Sequence, residues 1–305
     1  MKLVLALMLA AAWGKEAAPP YAVLLLAHGG DAQWNHEVEE VGRGLRAKVP
    51  VEIAFGMADH AAISQAIRKL EERSPSKIVA VPLFVNSQSE VMDQTRFVLG
   101  LRAEPSKTLG DALGARQEAH AGHPGAGAHA HSFSTERVKI RSPFVLTPAL
   151  DEHPVVLDIL AERAKALSKD PSREVVLLVG HGPVDERANR AWNRTIGNLC
   201  AELRKRGGYR AVRGATLRDD APPSVRAKAV RDLRELVSRS SLDGRVLVVP
   251  YLMARGGIER KVEEALKGLK FTWDATTLMP HPAVARWVEE SAAAGSRKED
   301  MRRFR

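Results

Sequence analysis

VLLLAHGGD, residues Val23–Asp31, is a hydrophobic run that stops on a histidine and two glycines. It has no polar alternation. As a strand it would be buried on both faces, as strands of a parallel sheet covered by helices are. VVLLVGHGP, Val175–Pro183, repeats the pattern in the second half, with its histidine 181 − 28 = 153 positions after the first.

The flanking sequence agrees with that reading. A helical pattern runs from about Trp34 to Lys48, Val51–Phe55 reads as a strand, and Ala61–Arg73 has helical spacing with Ile63, Ala66, Ile67 and Leu70 on one side. KIVAVPLF (Lys77–Phe84) is a further buried strand, and Ser89–Leu99 a further helix. The second half has the same order: strand Glu174–Val179, helix Asp185–Arg206, strand YRAVRGATL, helix Ser224–Ser238, strand GRVLVVPYLM, helix Gly257–Leu266. IVAVPLF answers VLVVPYL, and LTPALDEHPVV is answered more loosely by TTLMPHPAVA. Strands alternating with helices give an α/β fold. Repetition of the whole scheme gives two duplicated doubly wound parallel-sheet units, 19–150 and 151–290, with a site between them and a basic tail over 291–305.

The 305 residues are 45% hydrophobic and 27% charged, enough for packed cores and against general disorder. The net charge of +9 favours an anionic partner; a solvated, arginine-rich surface explains it as well. Aromatics are scarce and no helix shows a basic reading face, so nucleic acid is not an expected partner. Cys200 is the only cysteine, which excludes an internal disulfide and a cysteine-cluster metal site.

Residues 1–18 have the shape of a secretory leader: Lys2, an apolar run from Leu3 to Trp13, and small residues after it. The expectation is a periplasmic or secreted protein with no stable membrane insertion after cleavage, because the run is short for a membrane span. The alternative is a buried first element in a cytoplasmic chain. Residues 118–133, EAHAGHPGAGAHAHSF, have no hydrophobic period and read as an insertion. His120, His123, His129 and His131 make it either an auxiliary site for transition metals or a plain linker.

In an open parallel sheet, ligands bind beyond the carboxyl ends of the strands. His28 and His181 both fall there, beside Gly29, Gly30 and Gly182, where the backbone turns and a ligand can come close. An imidazole in that place can take a proton, bind a metal or cap a helix. The loop after the third strand puts Asn86, Ser87 and Glu90 at the same edge. Glu90 reads either as a first-turn carboxylate favoured by the helix dipole or as an oxygen ligand near His28. The matching loop carries Arg255 and Gly256; Arg255 could grip a carboxylate or stand in solvent.

Taken together, the AHGG and GHGP strand ends, the PLF and PYLM strands with polar loops, and TPALDEHPVVLDIL resemble the CbiX/SirB-type sirohydrochlorin chelatases in their long, duplicated form. The resemblance covers about residues 21–290. It implies an ATP-independent class II chelatase that inserts a divalent transition metal, Co²⁺, Fe²⁺ or Ni²⁺, into a sirohydrochlorin-like tetrapyrrole in cobalamin or siroheme biosynthesis. No organic cofactor is implied. The family's strand-end histidine falls on His28 and on His181. Its second histidine falls on Glu90 in the first half and on Ile258 in the second. Its glutamate after the second strand falls on Met57, with His60 three residues on as a substitute metal ligand. Asn86, Ser87, Gly29, Gly30, Arg255 and Gly256 would then line the macrocycle. The competing expectation is an exported metal- or tetrapyrrole-binding protein that has kept the fold and lost insertion.

Overall fold

The computed structural model describes residues 20–111 and 133–304. In chain order the elements are β1 (Ala22–Ala27), α1 (Ala32–Arg46), β2 (Val51–Phe55), α2 (His60–Glu72), β3 (Ile78–Leu83), α3 (Glu90–Val98) and β4 (Phe144–Leu146). They continue with α4 (Pro154–Leu167), β5 (Glu174–Gly180), α5 (Glu186–Gly207), β6 (Ala211–Thr216), α6 (Pro223–Asp243), β7 (Arg245–Tyr251), α7 (Ile258–Ala265) and α8 (Pro282–Ser296). Two parallel sheets result, ordered β2-β1-β3-β4 and β6-β5-β7. The two runs that end on histidine, β1 and β5, each lie between two parallel neighbours. Every residue of both is buried.

Local chemistry starts the helices where the strands release the chain. Asp31, Asp59, Ser89 and Asp185 each accept a hydrogen bond from the backbone N–H three residues on, at 2.7–3.2 Å. Each such cap is worth about 1 kcal/mol. α4 and α8 begin alike on a His-Pro pair: the His153 and His281 Nδ1 atoms accept from Val155 N and Ala283 N at 3.3 and 3.1 Å. Proline at the first position loses no hydrogen bond there.

These two helices cross between the sheets. α4 follows the first sheet but packs on β7 and α5 of the second, and α8, at the end of the second unit, packs on β3, β4 and α1 of the first. One hydrophobic core therefore runs through both units, from Val23 and Leu25 of β1 to Leu178 of β5 and Trp287 of α8. The outer faces have separate cores, under α2 and α3 in the first unit and under α6 and α7 in the second. Beyond α8 the chain stays on the first unit: Met301 N donates to Phe144 O at 2.9 Å, and Arg303 and Phe304 N to Gly100 O at 3.0 Å.

Among the described residues, no helix is long and apolar enough to cross a membrane. The stretch read as a leader, 1–18, lies outside the described residues, as do His120, His123, His129 and His131.

Candidate functional site

The carboxyl ends of the two sheets face each other, because the loops that leave them touch. Trp192 of α5 donates its indole N–H to Gln88 O in the β3–α3 loop at 2.5 Å. The Tyr251 hydroxyl, at the end of β7, lies 3.1 Å from Val85 O and 3.2 Å from Asp151 O of the first unit. Burial pushes its pKa up, so it stays a neutral donor. On the other flank a Cβ on Gly256 would come within 3.7 Å of the Trp34 ring of α1.

His28 and His181 stand at the ends of β1 and β5 on this shared edge. His28 is exposed, and its Nδ1 lies 2.9 Å from Gly29 O. Gly29 and Gly182 follow with φ of 80° and 76°, in the left-handed region that glycine enters without a Cβ penalty. His181 is more enclosed, its side chain 30% exposed, with Nε2 3.3 Å from Asp220 Oδ2. That nitrogen is buried, and the pair lacks the alignment of a hydrogen bond. Arg218 splints this turn. Its backbone N–H donates to His181 O at 2.6 Å, and its buried guanidinium donates to Pro183 O, Val184 O and Glu186 Oε2. It holds a φ of 54°, unusual for a non-glycine residue.

Asp220 and Arg218 were not singled out from the sequence. The repeat register contains the signal: Gly56 N bonds Ala27 O as Leu217 N bonds Gly180 O, both at 2.9 Å. Three residues on, Asp59 matches Asp220. In the first unit that carboxylate accepts from Ala62 N and caps α2. α6 instead begins on Pro222 with no side-chain cap, and Asp220 stands against His181.

The β3–α3 loop is committed to the junction between units. Glu90 is only 8% exposed, and its Oε1 accepts from Asp185 N of the second unit at 2.5 Å. Ser87 donates its N–H and its hydroxyl to the Asp151 carboxylate, both at 2.6 Å, and its Oγ accepts from Ala149 N. Asn86 Oδ1 accepts from Gln88 N at 2.8 Å. In the opposite loop, exposed Arg255 donates to Asp274 O at 3.1 Å, and Gly256 N donates to Glu259. Gly30 N donates to Asn35 Oδ1 at 3.0 Å. His60 opens α2, and Met57 is buried against Leu109. The structure thus joins Glu90 to the second unit and His181 to Asp220. Among the described residues no three His, Cys, Asp or Glu side chains form a group that could hold a metal ion.

The CbiX family matches residues 22–167 and 175–294, one copy on each unit. The chain belongs to the CbiX family. SirB, the sirohydrochlorin chelatase of Bacillus subtilis subspecies spizizenii, solved in complex with cobalt, is similar to this CbiX protein at 16% identity and a TM-score of 0.55, over 90% of this chain and 95% of that one. SirB from Bacillus subtilis with Fe³⁺ is similar at 17% identity and 0.57, over 92% and 99%. A multi-domain protein of Deinococcus radiodurans with structural similarity to chelatases and two additional domains is similar at 19% and 0.53, over 94% of this chain and 56% of that one. At these identities the likeness is one of fold. No curated protein matches the chain in sequence.

Proposed function

We propose that this CbiX protein inserts a divalent transition metal into a sirohydrochlorin-like tetrapyrrole held between its two units, without nucleotide hydrolysis. The supporting observation is the pair of strand-end imidazoles, His28 and His181, each followed by a left-handed glycine, on sheet edges that face one another. Insertion requires two pyrrole protons to leave and a hydrated metal to shed water. His28 and His181 are the bases for the protons. Asp220, 3.3 Å from His181 Nε2, is placed to orient that ring. Nitrogen and oxygen donors suit Co²⁺, Fe²⁺ or Ni²⁺ without holding them irreversibly. Glu90 joins the units through Oε1, and its carboxylate is the oxygen donor this reading assigns to the metal. Asn86, Ser87, Arg255 and Gly256 shape the rims of the cleft.

The test is metal insertion into sirohydrochlorin, followed in the visible spectrum. His28→Ala and His181→Ala should each lower the rate about 10²–10⁴-fold, the usual worth of positioned proton transfer. Asp220→Asn should act in the same direction as His181→Ala and more weakly. Unchanged rates in both histidine variants would reject the assignment. Binding of metal or macrocycle with no insertion by the unaltered protein would instead favour a binding protein on the same fold. Glu90 and Ile258, where the family resemblance implies a second histidine, favour that second reading.

We further propose that 1–18 is an export leader and that His120, His123, His129 and His131 hold metal near the cleft. N-terminal sequencing of exported protein checks the first, and intact Met1 in a cytoplasmic fraction would refute it.

A further inference from the structure

The two flanks of the cleft are built from corresponding parts and are held differently. Leu150 N and Asp151 N donate to Phe84 O and Val85 O at 3.1 and 2.9 Å, and Leu278 N and Met279 N donate to Leu252 O and Met253 O at 2.9 and 2.7 Å. This shared ladder sets the β7–α7 loop in register with the β3–α3 loop: Arg255 matches Ser87, Gly256 matches Gln88 and Ile258 matches Glu90. Each loop meets a tryptophan on the helix that follows the other unit's strand-end histidine, Gln88 against Trp192 and Gly256 against Trp34. We propose that the β7–α7 loop is a moving gate on the α1 flank, latched by a hydrogen bond from the Trp34 indole N–H to Gly256 O, and that the α5 flank is the fixed side. What passes the gate rests on the function proposed above; the motion does not.

The β3–α3 loop is held along its length. Trp192 donates to Gln88 O and Asp185 N to Glu90, both at 2.5 Å, and the Tyr251 hydroxyl to Val85 O at 3.1 Å, all across the junction. Within the first unit, Ser87 gives two donors to Asp151, and Arg96 donates to Ser87 O at 2.9 Å.

The β7–α7 loop has none of these groups at the matching positions. By the same ladder Met279 stands where Asp151 stands, so no carboxylate faces the Arg255 position. Ile258, in the place of Glu90, packs on the outer core of the second unit. Arg255 donates to Asp274 O, and Gly256 and Gly257 N donate to Glu259, all inside the second unit. Gly257 has a φ of 101°, and beside Gly256 it lets the backbone turn without a Cβ penalty. A segment with so few ties to its surroundings opens before the rest of the fold. Trp34 supplies the latch. It is 6% exposed, and its indole N–H has no hydrogen-bond partner among the described residues. A Cβ on Gly256 would lie 3.7 Å from Cδ1, the ring atom bonded to that nitrogen. Both tryptophans stand edge-on to an aromatic ring at a strand end, Trp34 to Phe55 at 6.4 Å and Trp192 to Tyr251 at 6.1 Å. Donors in such enclosed places nearly always find an acceptor. Gly256 O is the counterpart of the acceptor that Trp192 already has.

The test is the distribution of distances across each flank of the full chain without ligand, from paired spin labels by pulsed electron resonance. Arg255→Cys with His36→Cys spans the α1 flank, and Gln88→Cys with Arg190→Cys the α5 flank; all four positions are exposed, and Cys200 is buried. The α1 flank should give two distances, closed and open, and the α5 flank one. Trp34→Phe keeps a ring and removes the latch donor, so the ratio of closed to open should fall about two- to tenfold, the worth of one neutral hydrogen bond. Trp192→Phe should give the α5 flank a second distance. A single narrow distance on both flanks would overturn the proposal, as would a closed fraction unchanged by Trp34→Phe. Melting curves confirm that each variant is folded. The readout needs neither metal nor macrocycle, so a protein that inserts no metal can still show the gate, and one that inserts metal can still fail to show it.

Discussion

Removing the Glu90 carboxylate separates two roles for one residue. Oε1 accepts from Asp185 N at 2.5 Å across the junction, and the side chain is 8% exposed. A hydrogen bond to a charged, buried acceptor contributes about 1.5–3 kcal/mol, and a neutral one about 0.5–1.5 kcal/mol. Glu90→Ala should therefore cost about 1.5–3 kcal/mol and leave Asp185 N without its partner. Glu90→Gln keeps an acceptor and should cost about 1 kcal/mol. For a chain of this size each kcal/mol moves the melting temperature by about 2 °C. The expected falls are then about 3–6 °C for alanine and about 2 °C for glutamine, read by circular dichroism. Insertion rate on the same samples separates the roles. A clasp alone predicts that Glu90→Gln keeps most of the rate, whereas a metal-ligating carboxylate predicts a large loss with little change in melting. If Glu90→Ala melts like the parent, the carboxylate does not join the units and the reasoning fails.

Other outcomes follow from the same contacts. Gly182→Ala puts a Cβ within 2.5 Å of Thr216 Cβ in a left-handed turn, so it should cost about 1–3 kcal/mol or more and displace His181, whereas Gly29→Ala, with 3.4 Å to Phe55, should cost less; chemical denaturation of the pair checks the order. Burial acts to raise the Glu71 pKa, but hydrogen bonds from Ser142 N and from Arg141 outweigh it and hold the carboxyl below its usual value; Glu174 is likewise held low by Ser168, Lys169 N and Arg245. Both groups then contribute stability that is present above the ordinary carboxylate pKa of about 4.3 and is lost as pH falls through the lower folded value. Glu71→Gln should make acid unfolding less steep, and an unchanged pH profile would remove Glu71 as a contributor. Deleting residues 118–131 should reduce the number of bound metal ions in a calorimetric titration without lowering the melting temperature, and unchanged stoichiometry would make the tract a linker.

The strands were the legible part of this fold. Runs such as VLLLA and VVLLVG are unbroken because both faces of β1 and β5 are covered, and that pattern survives without knowledge of what covers them. The crossing of α4 and α8 was not legible, because a helix carries the same apolar face whichever sheet receives it. β4 is a three-residue strand, too short to show a period. At the site, the two histidines stand out because they repeat. Glu90 could be read as a cap or a ligand, and its bond to a residue 95 positions away was invisible to any local pattern. Asp220 is half of an Asp-Asp pair in a loop, and only the hydrogen-bond register of β5 with β6 brings it to His181.

The crossed helices give the duplication its chemical consequence. Two copies joined by a simple linker would place two strand-end histidines at an arbitrary separation. Here the helix that follows each sheet packs on the other sheet, and one apolar core runs through both, so the separation of the facing edges is set by packing. The junction is then trimmed by contacts that differ between its flanks. On the α5 side it is closed by Glu90, Trp192 and Tyr251; on the α1 side Gly256 rests near Trp34 with no side chain of its own. The repeats have diverged at the same points. Asp59 caps α2 in the first unit; in the second, α6 has no side-chain cap, Asp220 lies against His181 and Arg218 holds that turn. The two strand-end imidazoles thus differ in their surroundings, His28 exposed and His181 enclosed.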